Sequence, residues 1–184
     1  DISFQGKRPN LFWRALHGDA ARLARAALLL VGSVDHARSA DSVASRYLAS
    51  GHEASVVGDA AIRDAVSCAL HATFDEFVLP AGLHAVPIPG MSPGETAFVL
   101  DPWRAAVFAD AVIGAGKGRL RVAPPSWGVK TPAGRALYDR AFRPSIQQIA
   151  SGQPEIVLPS HGEPVLTDGY SALEAALVAP PWGE

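Results

Sequence analysis

The sequence predicts an α/β layered sandwich, and three observations carry that prediction. Helical and extended segments alternate along the chain, and short strand candidates separated by Pro/Gly turns cluster in its middle. Hydrophobic residues make up 48% of the 184. A single globular domain of that size buries roughly two-thirds of the surface its unfolded chain exposes, so residues 1–184 read as one domain with one sizeable core.

Each element follows from its residues. Leu11 to Arg25 places Leu11, Phe12, Ala15, Leu16 and Leu23 near helical spacing and reads as an amphipathic helix. Ala27 to Ser33 is short, apolar and closed by Gly32-Ser33, which suits a buried strand. Ala37 to Ser50 returns to helix, with Gly51 as its stop. Ala54 to Val57 reads as a strand and Ala60 to Leu70 as a helix. His84 to Ile88, Thr96 to Leu100 and Ala105 to Ala109 are strand candidates. Gly114 to Thr131, rich in glycine and proline, reads as a long loop over a site. Ala133 to Ser151 is helical, Glu155 to Leu158 a strand, and Tyr170 to Val178 a last helix before Pro180-Pro181.

Composition narrows the classes of function. Sixteen Lys and Arg against eighteen Asp and Glu give a formal net charge of −2, so no basic field marks nucleic acid or an anionic membrane as a partner. The longest apolar stretch, Ala26 to Val31, is far below the roughly 20 residues that span a bilayer. Cys68 is the only cysteine, which excludes an internal disulfide and a cysteine-cluster metal site. Together with the absence of a signal-like N-terminus, this favours a cytoplasmic location.

Four polar residues lie just past predicted strands. They are Asp35 and His36 after the first, Asp110 after Ala105–Ala109, and His161 after Glu155–Leu158. Strand ends on one edge of a sheet converge even when distant in sequence. Two imidazoles and two carboxylates form a ligand set for zinc, manganese or iron. Taken singly, each has a structural alternative: Asp35 as a helix cap, His161 as a buried, hydrogen-bonded histidine.

Four motifs, in order, resemble those of the metallo-β-lactamase superfamily. Leu28-Leu29-Leu30-Val31-Gly32-Ser33-Val34-Asp35-His36 resembles its strand and His-x-His-x-Asp-His loop. Pro89-Gly90-Met91-Ser92-Pro93-Gly94 resembles its Gly-His-Thr-Pro-Gly turn, Val107-Phe108-Ala109-Asp110 its strand with the bridging aspartate, and Pro159-Ser160-His161-Gly162 its late Pro-Gly-His-Gly turn. The resemblance implies a four-layer αββα sandwich with the site along one edge of the two sheets.

It also implies which metal positions are kept. Val31, Ser33 and Met91 stand where the family holds its first ion, and valine, serine and thioether do not suit zinc there. The second position carries over as Asp35, His36 and His161, with Asp110 in the bridging place. The expectation is therefore a hydrolase with at most one zinc, manganese or iron ion, whose bound water is activated at Asp35, His36, Asp110 and His161. Asp35 and Asp110 are the candidate catalytic carboxylates. Arg38 and Glu95 are candidates to reach the vacated pocket, with a solvated surface position as the alternative. The alternative function is a metal-free, catalytically inactive member acting as a binding or structural module. Its partner would be a small molecule; β-lactam, thioester, phosphodiester and lactone bonds all suit the hydrolase reading.

Only about ten residues precede Leu11, where the family places several strands. The expectation is that these strands are shortened or missing, and that a longer chain or a homo-oligomer covers the exposed sheet edge. Two other motifs are set aside. Gly90-Met91-Ser92-Pro93-Gly94 fits a nucleophile elbow in letters, with Ser92, Asp110 and His161 in hydrolase order. Pro93, however, lacks the N–H that an oxyanion hole requires, and a strand rather than a helix should follow. Gly114 to Arg119 lacks phosphate-loop spacing. Trp127 is a candidate to line a pocket beneath the long loop.

Overall fold

The computed structural model describes residues 26–66, 70–129 and 131–183. The helix expected over Leu11 to Arg25, the missing N-terminal strands and Cys68 lie outside these residues. Among the described residues, nine strands form three sheets. β1 (Ala26–Val31), β2 (Glu53–Gly58) and β3 (Ala72–Thr73) make a parallel sheet in that order. β4 (Leu83–Pro87), β5 (Thr96–Leu100), β6 (Ala105–Phe108) and β9 (Ile156–Pro159) make a mixed sheet in the order β4-β5-β6-β9. β7 (Val112–Gly114) and β8 (Leu120–Val122) form a separate antiparallel hairpin.

The period-two alternation of side chains along each strand builds the layers. In the mixed sheet, Phe98 and Leu100, Ala105 and Val107, Ile156 and Leu158 face Leu30 and Phe74 of the other sheet's side. Their neighbours Ala97, Ala106, Phe108 and Val157 face a core built with Phe142, Ile146, Ile149 and Leu173. On the far side of the parallel sheet, Leu29, Val31 and Val56 pack on Ala40 and Ala44 of helix α1 (Ala40–Ala49). The order is helix, sheet, sheet, helices, as the motif resemblance implies. Helix α2 (Pro132–Leu137) runs through a π-helical turn, Tyr138–Phe142, into α3 (Arg143–Ser151), which packs against α4 (Gly169–Val178). None of the described helices is long and apolar enough to cross a membrane.

Three sequence expectations need correction. The helix expected from Ala37 begins as a 3-10 segment, Val34–Ser39, and becomes α-helical only at Ala40. The helix expected over Ala60 to Leu70 is a 3-10 segment, Ala60–Ala65, that ends at Val66 in extended backbone. The long loop expected over Gly114 to Thr131 is instead the β7–β8 hairpin followed by one helical turn, Pro125–Gly128. Gly116 and Gly118 take positive φ and close that hairpin, while Leu120 and Val122 turn into the core. The alternation Leu-Arg-Val was a strand signal outweighed by the surrounding glycines.

Candidate metal centre

The sheet order gathers the site. β6 and β9 are parallel neighbours, with Phe108 opposite Pro159. The chain segments leaving them, Ala109-Asp110 and Ser160-His161, therefore emerge side by side. β5 runs antiparallel to β6, so Glu95 lies at the same end. β1 is tied there too: Thr96 N–H donates to the Gly32 carbonyl at 2.7 Å and Val34 N–H to the Pro93 carbonyl at 3.2 Å. The 3-10 segment after β1 then delivers His36 to the group.

His36, Asp110 and His161 converge. Asp110 Oδ1 lies 3.0 Å from His36 Nε2 and 3.1 Å from His161 Nε2. One ligand atom from each lies within 4.8 Å of the others. The His36 and Asp110 side chains keep 13% and 14% of their exposure and His161 keeps 38%, so the group opens to solvent on the His161 side. Burial alone would raise the Asp110 carboxyl. The His36 hydrogen bond and the charges of both histidines outweigh it and, with Ser160, hold Asp110 below the ordinary carboxylate range. A group with two imidazole nitrogens and an ionised carboxylate oxygen suits a divalent ion with an open position.

Asp35 is placed otherwise. It is exposed, and the Ser92 hydroxyl donates to its Oδ2. The convergent group does not include it. A strand, β5, follows the Ser92 turn, which agrees with setting the nucleophile elbow aside. Val31, Ser33 and Met91 are all buried, and among the described residues Ser33 Oγ has no hydrogen-bond partner. No side-chain position is described for Arg38.

Glu95 is the residue that sequence reasoning undervalued. It is 3% exposed, and its Oε1 accepts the N–H groups of both Asp110 and Ala111 at 2.8 Å. It thus clamps the backbone that carries the Asp110 carboxylate. Burial pushes its carboxyl up to about 7, against the pull of those two N–H groups. Oε2 has no partner among the described residues. A charged residue wedged between a Pro-Gly turn and an apolar strand was the available signal.

Two contacts shape the rim. Trp127 meets the His161 ring edge-on, with centroids 6.4 Å apart. The helical turn carrying it sits against the Met91 turn: a Cβ on Gly128 would lie 2.8 Å from the Met91 backbone. Behind His161, Gly114 N–H donates to the His161 carbonyl at 2.9 Å, and Gly162 packs on Gly114 with φ +81°. The other described histidines settle into local contacts: Val56 N–H donates to His71 Nδ1 at 3.0 Å, His84 pairs with Asp101 at 2.8 Å, and His52 lies against the Tyr47 ring.

No family model and no curated protein matches the chain in sequence. Solved structures do match it in fold. A chemotaxis sensor, ODP, solved with a peroxy diiron species, superposes at a TM-score of 0.61 with 12% identity, covering 94% of this chain and 79% of the sensor. A metallo-β-lactamase from Hirschia baltica gives 0.58 at 14% identity over 89% and 71% of the two chains. One from Pontibacter korlensis gives 0.57 at 11% over 91% and 75%. At such identities the likeness speaks for the architecture alone: the described chain has the metallo-β-lactamase fold.

Proposed function

We propose that this chain, on its metallo-β-lactamase fold, is a metal-dependent hydrolase that holds a single ion at His36, Asp110 and His161. The convergence of two imidazole nitrogens on one ionised carboxylate oxygen carries the reading. Fold alone would not, because one architecture hosts many chemistries. Zinc, manganese and iron all accept this donor set, and an ion bound there supplies a nucleophile by lowering the pKa of water to about 7.

The chain's own residues prepare the site for that chemistry. Glu95 fixes the Asp110 backbone, and Ser160 adds a longer contact of 3.4 Å to Asp110 Oδ1. Trp127 restrains the His161 ring and gives the open side of the site an apolar wall. Asp35, with Ser92, stands at the margin as a carboxylate held by hydrogen bond. Val31, Ser33 and Met91 occupy the motif positions whose side chains would have to ligate a second ion, and their chemistry does not suit one, so the reading is one ion rather than two.

One observation favours the second reading, a metal-free binding module. Both histidines lie within hydrogen-bond distance of Asp110 Oδ1, so the three side chains satisfy one another without an ion. Thermal unfolding with added zinc, manganese or iron separates the two. An ion bound only by the native state raises its stability by about 2.7 kcal/mol at a hundredfold excess over Kd. The expected result is a rise in Tm for the wild type that is absent in Asp110→Ala. Equal curves with and without each metal would leave the module reading standing.

A further inference from the structure

The β7–β8 hairpin carries a second feature away from the histidines. A cleft of about 310 Å³ opens beside it, lined by Arg119 and Arg121 and by the segment Pro180-Pro181-Trp182. Its construction follows from the strand. Leu120 and Val122 point into the core, so Arg119 and Arg121, two residues apart, share the outward face. The Trp182 backbone N–H donates to the Val122 carbonyl at 2.9 Å and fixes the C-terminal segment along β8.

The two guanidiniums are underused. Arg121 Nη1 donates to the Leu120 carbonyl at 3.0 Å and Arg119 Nε to the Gly116 carbonyl at 3.4 Å. Among the described residues neither has a carboxylate within ion-pair distance. Each guanidinium carries five N–H donors in a planar fork that matches phosphate oxygens two at a time. Trp182, which follows Pro180-Pro181 and lines the same cleft, remains 42% exposed. Two arginines, a tryptophan and two prolines lining one cleft suit a ligand with an anionic group at one end and a flat ring at the other. The volume lies at the small end of the roughly 300–1,000 Å³ of ligand sites, which sets one small molecule as the upper limit.

We propose that this cleft is a binding site for an aromatic monophosphate of mononucleotide size. Isothermal titration with AMP, adenosine and inorganic phosphate tests it, on the full chain and on Arg119→Ala, Arg121→Ala and Trp182→Ala. The expected result is submillimolar AMP binding, with adenosine and phosphate each at least tenfold weaker. Either arginine variant should weaken AMP at least tenfold while the far-ultraviolet circular dichroism stays unchanged. Arg121→Lys, which keeps the charge but loses the fork, serves as a milder second variant with an intermediate loss. Trp182→Ala should weaken AMP and leave phosphate as it was. No AMP binding at millimolar concentration, adenosine equal to AMP, or folded arginine variants that bind AMP like the wild type would each overturn the proposal.

Discussion

Gly162→Ala is expected to destabilise the protein by about 3–5 kcal/mol, a large part of the roughly 5–15 kcal/mol by which domains are stable. A Cβ at Gly162 would lie 2.0 Å from the Gly114 carbonyl oxygen, and the residue holds φ +81°. Two costs combine: a left-handed backbone that alanine disfavours, and a backbone-to-backbone collision that no rotamer relieves. Gly118→Ala isolates the first. Gly118 has φ +70° with nothing within 4 Å of its Cβ position, so about 1 kcal/mol is expected there. Urea unfolding of both variants supplies the comparison. Equal losses would mean that the close approach behind His161 is not what places that histidine.

The second large effect belongs to Glu95. Glu95→Ala leaves the N–H groups of Asp110 and Ala111 buried without their shared acceptor, at about 1–3 kcal/mol each. Glu95→Gln keeps an oxygen for them and removes only the titration. In the metal-free protein the unfolded Glu95 releases its proton near 4.5 while the folded one keeps it to about 7. Between those values the native state holds more protons, so stability falls as pH rises, by up to about 1.4 kcal/mol per pH unit. The contribution is full below about 4.5 and lost as pH passes 7. Asp110, whose carboxyl is lowered, acts in the opposite sense and on the acid side: its stabilisation is lost as pH falls. The difference between wild type and Glu95→Gln should therefore slope across that window; parallel stability curves would contradict the buried-carboxyl account.

The architecture was legible because its signals are local. The short apolar runs Thr96–Leu100 and Ala105–Phe108, set off by Pro/Gly turns, and the apolar run before Gly32 place β5, β6 and β1, and the polar residues after three strands mark His36, Asp110 and His161. Long-range pairing was not legible. That the Asp110 and His161 segments emerge together depends on β6 and β9 being parallel neighbours, and no local pattern states it. Asp35, next to His36 in the 3-10 segment, is not in the convergent group and accepts a hydrogen bond from the Ser92 hydroxyl, a long-range contact that no local pattern states. For Glu95 the sequence leaves a pocket position and a solvated one both open, since charge is a strong sign of exposure; the two N–H groups that hold it inside come from a segment fifteen residues away. The β7–β8 hairpin was obscured by the glycines that close it.

The central claim is one ion per chain, held by His36, Asp110 and His161. Elemental analysis of the purified protein by mass spectrometry, alongside His161→Ala, tests it most directly. The account predicts close to one equivalent of zinc, manganese or iron in the wild type and near none in the variant. No metal in either protein, or two equivalents in the wild type, would contradict it.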